Sequence, residues 1–304
     1  MPALPPGLLL CPVCRQTLAR TDRSLACGAG HRFDAARQGY VNLLTGKGSP
    51  FEGDSVEMVE ARGQFLGSGA FDPLRALIVE SALRAIPRPA VALDAGAGTG
   101  FYLEALCARA PEVFPVALDI SRTALRRAAR RLPQGVSLVW DVWRPLPVAD
   151  RSVDVLLNVF APRNPPEFTR VLSDTGCVVV VTPRPGHLDG LQDVGPLLDV
   201  PAQKADDVRA AFEGLLVETA REDLDHVMRL PLGLARSALV MGPAAHHRGR
   251  AEHSPDGVAP TEQQDHGAEA ASDVTVQARF TVQVLARHAR AARDTQNTPD
   301  TRPS

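Results

Sequence analysis

Val91-Ala-Leu-Asp94-Ala-Gly96-Ala-Gly98-Thr99-Gly100 decides how the rest of the chain is read. An apolar run ends in an acidic residue, and three glycines follow at alternate positions. A helix-like segment, 101–110, comes next. That order reads as a buried strand, a tight turn and a helix start. Glycines put no side chain in the way, so a ligand can lie against backbone N–H groups at the helix N-terminus. A dinucleotide fingerprint needs its third glycine at position 101, where Phe101 stands. G-x-G-x-G after a strand ending in Asp suits the methionine end of S-adenosylmethionine, a cation without a pyrophosphate. A nucleotide site and a plain tight turn are the competing readings. On the first reading Asp94, Gly96, Gly98 and Gly100 face the cofactor.

Beyond this stretch, strand-like and helical runs alternate. Strands are expected at Phe114–Asp119, Val136–Trp140, Val153–Val159 and Val178–Thr182, with helices at 101–110 and 121–131 and a short helix after the proline-rich turn 162–166. Continuous apolar strands alternating with helices indicate an α/β domain with a parallel sheet covered on both faces. Ligands of such sheets sit at the carboxyl ends of the strands. Asp119 ends the second strand, where its two oxygens can accept both ribose hydroxyls or serve the helix start beside Ser121. Asp141 follows the third strand, placed to receive an adenine amino group or to hold a turn. Asn158, Phe160, Arg163 and Asn164 follow the fourth, where they can hold and stack a flat substrate or form a polar turn.

The chain has 304 residues, 44% of them apolar, and a net charge of −2. This accommodates one large domain and one small one. A near-neutral chain must contact nucleic acid, if at all, through a local basic patch. No apolar run approaches the roughly 20 residues of a membrane span. No basic region precedes the short apolar run 7–10, so no signal peptide is expected. Three of the five cysteines fall within residues 11–27. That clustering suits metal ligands in a reducing cytoplasm better than a disulfide framework.

Cys11, Cys14, Cys27 and His31 follow C-x2-C-x12-C-x3-H. Two close pairs joined by a hairpin-length spacer match a tetrahedral Cys3His zinc site with every position filled by protein, hence a structural Zn2+. Such a short segment buries too little surface to fold alone, and the metal supplies what the core lacks. Arg15, Arg20, Arg23, Arg32 and Arg37 stand against only Asp22 and Asp34. The excess suits phosphate contacts, or simply a solvated surface. The arginines of 122–131 read first as a solvated face, with an RNA-facing patch as the other reading. Cys107 and Cys177 sit in apolar surroundings and read as core.

The expected organisation is a zinc-binding module at 1–45, a linker with helices at 46–85, a methyltransferase domain at 86–290 and a polar tail at 291–304. The helices of 46–85 are expected at Val56–Leu66, capped by Asp54 or Ser55, and at Pro73–Ala85. Further helices are expected at 187–199, 204–213 and 231–240, and a strand at Leu215–Thr219. Residues 243–272 lack periodicity and read as loop or disorder. The alternating run 274–284 reads as a late antiparallel strand.

The zinc pattern, Arg37-Gln-Gly-Tyr-Val-Asn-Leu-Leu44, Gly53-Asp-Ser-Val-Glu-Met58 and Asn158-Val-Phe-Ala-Pro-Arg-Asn-Pro165 occur together and in order. This combination resembles the bacterial guanine-N1 methyltransferases of 23S ribosomal RNA, in particular the actinomycete subgroup linked to resistance to tylosin and related macrolides. The resemblance runs from Cys11 to Ala244 and resumes in the last strand. It implies a Rossmann-like seven-stranded methyltransferase domain joined to a zinc module, often as a homodimer. The implied partner is a 23S rRNA hairpin at the macrolide tunnel, with the guanine at position 748 as target. The family's zinc ligands fall on Cys11, Cys14, Cys27 and His31. Its cofactor contacts fall on Gly98 and Thr99 in the glycine loop, on the aromatic Phe71 (tyrosine in some members) and on His187. Where relatives tend to carry an aromatic, this chain has Ala244-Ala245-His246, and the following stretch to 272 has no helical pattern.

Guanine N1 carries a proton, so its methylation needs that proton removed or the negative charge on O6 stabilised. Residues 158–164 are expected to form this end of the site, with Asn158 holding the base and Arg163 stabilising O6. Asp141 and Asp54 are the candidate proton acceptors. Competing functions are a small-molecule methyltransferase of an antibiotic pathway and a zinc-dependent nucleic-acid-binding regulator with a vestigial cofactor pocket. An oxidoreductase is disfavoured by Phe101.

Overall fold

The computed structural model describes residues 3–46, 48–242 and 273–287. The N-terminal stretch forms an antiparallel sheet of β1 (Leu18–Thr21), β2 (Ser24–Cys27) and β3 (Arg32–Asp34), followed by β4 (Val41–Asn42). Two helices come next, α1 (Val56–Gly67) and α2 (Asp72–Ala85). The alternating part follows: β5 (Val91–Ala95), α3 (Phe101–Arg109), β6 (Phe114–Asp119), α4 (Arg122–Arg131), β7 (Val136–Val139), β8 (Val153–Val159), α5 (Pro165–Val171) and β9 (Leu172–Pro183). The chain continues through α6 (Lys204–Ala211), β10 (Val217–Leu230), α7 (Leu232–Val240) and β11 (Val274–Ala286).

Helix starts follow local chemistry. The Ser55 hydroxyl accepts the Met58 N–H at 3.1 Å, and the Ser121 hydroxyl accepts that of Ala124 at 3.2 Å. Each satisfies a donor that the first helical turn leaves without a partner. Pro165 and Pro166 open α5, where a missing N–H costs nothing.

Seven strands stand in the order β7-β6-β5-β8-β9-β11-β10, and the two-residue β4 adds an eighth beside β7, with Val41 opposite Leu138. β5 to β9 pair in parallel, and β11 runs antiparallel to β9 and β10, as the alternation of its sequence predicts. The central strands bury both faces. Val155 and Leu157 pack on one side with Leu74, Ile78 and Leu103; Leu156 packs on the other with Phe168 and Phe212. Full burial of each such side chain contributes roughly 1.5–3 kcal/mol.

The N-terminal module shares the second of these cores. Leu9 and Leu25 belong with Leu138 and Val148, and Leu9 bridges to Val148. Strand order reverses between β5 and β8, which opens a crevice at the carboxyl ends of those strands.

Two segments differ from expectation. Residues 187–199 contain no helix. Leu188 takes a positive φ between Gly186 and Gly190, and the Leu188 N–H donates to the Gln277 carbonyl at 2.6 Å. Gln277 N–H donates to the Asp189 carbonyl at 2.8 Å, so Leu188 and Asp189 are pinned to β11 and the stretch runs as a series of turns. The strand expected at Leu215–Thr219 instead runs from Val217 to Leu230, paired along its length with β11. Its charged, alternately exposed residues carry little apolar signal. The loop expected at 243–272 and the tail at 291–304 lie outside the described residues. Among those described, no helix is long and apolar enough to cross a membrane.

Candidate functional site

The glycine stretch sits at the carboxyl end of β5, beside the crevice. Its backbone is spent on the fold more than the sequence suggests. Gly96 and Ala97 donate their N–H groups to the Leu118 carbonyl at 2.8 and 3.0 Å, and Gly100 donates to Ala97 at 2.8 Å. Gly98 donates to Asp119 Oδ2 at 2.8 Å. The expectation of a row of open N–H donors is therefore corrected: β6 takes most of them. Gly96 (φ +94°) also lies so close to Ala161 that a Cβ would stand 2.3 Å from that methyl group. A Cβ on Gly98 (φ +52°) would point toward the Arg62 guanidinium, 3.5 Å away.

What remains for a ligand centres on one buried carboxyl group. Asp94 is 1% exposed and its Oδ1 has no hydrogen-bond partner among the described residues. Burial, with the Asp119 charge adding to it, pushes its carboxyl up to about 8. Asp119 is also raised by burial, although the N–H groups of Ser121 and Gly98 oppose the shift. A buried carboxyl without a partner among the described residues, beside a bend whose donors are mostly spent, ionises most readily against a cationic ligand such as S-adenosylmethionine and offers a pyrophosphate little. Thr99 is buried within the bend.

A strap from Gly48 to Ser55 crosses the ends of β6 and β7. Ser49 donates its hydroxyl to Asp141 Oδ2 at 2.8 Å, Ser121 donates to the Asp54 carbonyl at 3.1 Å, and Gly53 lies against the Ser121 backbone. Arg62 pairs with Asp54 and donates to the Met241 carbonyl at 2.9 Å. Asp119 keeps its carboxylate on Gly98 and on the Ser121 N–H, at 2.7 Å. Asp141 accepts the Trp143 N–H at 3.0 Å besides Ser49. In the sheet, β6 and β5 stand between Asp141 and Asn158, so Asp141 belongs to the β7 end and not to the β8 end. Asn164 spans part of that gap by donating to the Val142 carbonyl at 3.0 Å.

The β8 end is aromatic. Asn158 is fully buried and donates its amide to the carbonyls of Ala95 and Pro162 at 3.0 and 2.9 Å, leaving Oδ1 without a partner among the described residues. It thereby ties β5 to the loop that follows β8. Phe160 in that loop is 43% exposed and has φ +54°, a strained conformation for a bulky residue. Its ring lies 6.4 Å from His187, with planes 26° apart, 6.5 Å from Phe71 and 5.6 Å from Phe280. Phe71 is buried edge-on against Phe65 and Phe280, and its centroid is 6.3 Å from His187.

His187 Nδ1 accepts the Arg279 N–H at 3.2 Å. Burial, with Lys204 adding to it, lowers His187 to about 4. The ring is therefore neutral at pH 7 and carries its proton on Nε2. A cavity of about 220 Å³ opens beside it, lined in part by Asp189, Gln192 and Leu197. Arg163 is partly buried, which lowers it, while Asp207 works the other way; its Nε has no partner among the described residues. Lys204 bears electrostatically on both His187 and Arg163.

The structure thus gathers Phe71, Asn158 and His187 around the β8 end, with Phe160 and Arg163 in the loop that follows. Asp94, Gly96, Gly98, Thr99, Gly100 and Asp119 stand around the β5–β6 bend. Sequence reading missed Arg62, Ser49 and Phe280. None lies in a motif; each reaches the site through a helix, linker or distant strand.

In the N-terminal module, the ligand atoms of Cys11, Cys14, Cys27 and His31 all lie within 4.8 Å of one another. Burial raises the Cys27 thiol, but contacts with the His31 side chain and backbone outweigh this and bring it down to about 6. Three thiols and one imidazole at this separation are a donor set suited to tetrahedral zinc.

Comparisons with known proteins agree with these two features. Residues 9–47 match the zinc-ribbon family described as "RlmA, N-terminal", and residues 92–179 match the family described as "Methyltransferase domain". A Micromonospora griseorubida protein assigned as a 23S rRNA (guanine-N(1)-)-methyltransferase is 45% identical over 261 residues, covering 79% of this chain and 87% of its own length. The 23S rRNA (guanine(748)-N(1))-methyltransferase of Streptomyces fradiae is 39% identical over 246 residues, covering 79% and 86%.

Proposed function

This chain belongs to the family of bacterial 23S rRNA (guanine-N1)-methyltransferases, and from that premise we propose that it methylates N1 of the guanine at position 748 in a 23S rRNA hairpin. The cofactors are S-adenosylmethionine and a structural zinc ion. The hairpin lines the macrolide tunnel, so the new methyl group removes a hydrogen-bond donor and adds bulk where tylosin-type drugs bind. Resistance is the expected phenotype. The setting is the cytoplasm, and the working form is a homodimer.

One observation carries the reading: the buried Asp94 carboxyl, whose Oδ1 has no hydrogen-bond partner among the described residues, beside a bend whose donors are mostly spent on Leu118 and Asp119. S-adenosylmethionine supplies an electrophilic methyl group on a cationic sulfur. Asp94 offers the matching negative charge once the cation has driven off its proton. Gly96, Gly98 and Gly100 let the ligand approach the backbone, Thr99 lines the bend, and Asp119 fixes its shape. Asp141 closes the adenosine side through Ser49 and Trp143.

At the other end, Phe160 stacks on the guanine with the help of Phe71 and His187. Asn158 sets the height of this loop by holding Ala95 and Pro162 together. The His187 Nε2–H is a donor that stays neutral at pH 7. Arg163 stabilises charge growing on O6 as the N1 proton passes to solvent, which is electrostatic catalysis at the atom where charge develops. Attack by N1 needs in-line alignment, and holding both partners supplies it. Cys11, Cys14, Cys27 and His31 hold the zinc.

Primer extension tests the reading, because an N1 methyl group blocks base pairing. Hairpin transcript treated with protein and S-adenosylmethionine is expected to stop reverse transcriptase at guanine 748. No stop on the hairpin, with transfer to a macrolide instead, would assign the chain to small-molecule methylation. Sedimentation velocity checks the dimer.

A further inference from the structure

The face of α4 away from the sheet carries a charge pattern that the methylation site does not use. Arg122, Arg126 and Arg130 are all exposed and follow each other at four-residue steps, so they line one side of the helix. The helix contains no acidic residue. None of the three forms an ion pair among the described residues, although exposed Arg32 and Arg84 elsewhere do. Two features of this placement work against the helix. Like charges four residues apart repel, and Arg122 sits at the end where the helix dipole is itself positive. Arg130 alone gains from the helix end it occupies, so the stripe as a whole is better balanced by an anionic partner.

The surroundings give the stripe a direction. Ser121, next to Arg122, caps α4 and bonds to Asp119, so the stripe begins at the edge of the cofactor bend. Near its far end, the module's turn at Gly39 lies against Ala129, where a Cβ would meet that methyl group at 3.6 Å. The exposed Arg37 stands two residues before Gly39. On the other flank, the Arg127 guanidinium lies so close over Gly63 of α1 that a Cβ there would clash at 2.1 Å. The three exposed arginines therefore run between the zinc module and α1. Successive guanidinium groups are offset by about 6 Å along the axis, at roughly 1.5 Å per residue, a stride comparable to successive phosphates of a nucleic-acid strand.

We propose that Arg122, Arg126 and Arg130, continued by Arg37 of the zinc module, form the surface that grips the phosphate backbone of the RNA stem whose guanine enters the site. This rests on the RNA reading of the preceding subsection and adds where the stem lies: along α4, between the module and α1. Contacts of this kind fix register without reading sequence. The base itself is read at Phe160 and Arg163.

The test is the salt dependence of binding by the full chain to a labelled hairpin transcript. Each phosphate contact contributes roughly 0.7–0.9 to the slope of log K against log salt. The variant Arg122→Gln/Arg126→Gln/Arg130→Gln is expected to lose about two units of slope and at least about tenfold in affinity at low salt, with S-adenosylmethionine affinity unchanged. The triple lysine variant, which keeps the charge, is expected to keep the slope. Parental affinity and slope in the glutamine variant overturn the proposal, as does weaker binding with an unchanged slope. So does conversion of a dimer to a monomer with RNA slope intact, which would make this face a subunit interface. If the triple variant no longer binds S-adenosylmethionine, the single variants decide: each should lower the slope by about one, and three parental slopes overturn it. A parent chain that methylates the hairpin while these variants are unaffected sinks this proposal alone. A parent that neither binds nor methylates the RNA sinks the function and this surface together.

Discussion

Asp119 Oδ2 accepts the backbone N–H of Gly98 at 2.8 Å. A carboxylate at the end of one strand thereby holds the glycine bend at the end of its neighbour, and its other oxygen holds the start of α4 through Ser121. The bend is fixed before any ligand arrives. Asp119→Ala removes a charge-assisted hydrogen bond, worth about 1.5–3 kcal/mol when donor or acceptor is ionised. S-adenosylmethionine affinity is expected to fall at least about tenfold, measured by calorimetry, with the fold intact by circular dichroism. Unchanged affinity would remove Asp119 from the site.

Asp94 gives the site a pH signature. Its folded value is about 8, against an ordinary 3.8. Between those values the folded chain holds a proton that the unfolded chain has lost, so the cofactor-free protein loses stability as pH rises from about 4 to about 8. A cationic ligand favours the carboxylate and drives the proton off. S-adenosylmethionine binding is expected to tighten toward pH 8 and to release protons below it, read from calorimetry in buffers of different ionisation enthalpy. Asp94→Asn should flatten both trends. A variant that keeps the parental proton release contradicts the assignment.

Phe160 combines exposure with a strained backbone, the pattern of a residue kept for contact with a ligand and not for packing. Stacking on one base is worth about 1–3 kcal/mol. Phe160→Ala is expected to lower kcat/KM for the hairpin by roughly 10- to 100-fold, with cofactor affinity retained, and Phe160→Tyr to recover most of it. If cofactor affinity falls instead, the ring belongs to the cofactor pocket.

Zinc removal should spread beyond the module, because Leu9 and Leu25 share a core with Leu138 and Val148. Each kcal/mol lost lowers the midpoint of a domain of this size by roughly 2–4 °C. Cys27→Ser, or prolonged chelation checked by metal analysis, is expected to lower the melting midpoint by about 10 °C and abolish RNA binding. A zinc-free protein with parental melting and RNA binding would make the metal dispensable.

The parts of this molecule that were legible in the sequence are those where local pattern and global role coincide. Val91 to Gly100 announces a strand, a bend and a helix because apolar burial and glycine geometry act within a few residues. The cysteine pairs announce a metal because ligand spacing is itself local. Residues 187–199 misled because their helical periodicity lost to pairing with Gln277, far along the chain. The bend's donors looked open because Leu118 and Asp119, which take them, belong to another strand. Arg62 and Phe280 reach the site only through tertiary packing. The stripe of Arg122, Arg126 and Arg130 was visible as charge, but its flanks, Gly39 and Gly63, were not.

The central claim is that the Asp94 bend holds a cationic methyl donor facing a guanine stacked on Phe160. Nucleoside analysis by mass spectrometry tests it most directly, on hairpin transcript incubated with purified protein and isotopically labelled S-adenosylmethionine. The account predicts labelled 1-methylguanosine from the parent, and at least about tenfold less from Asp94→Asn and Phe160→Ala. Label on another atom or base, or parental yield from both variants, would contradict it.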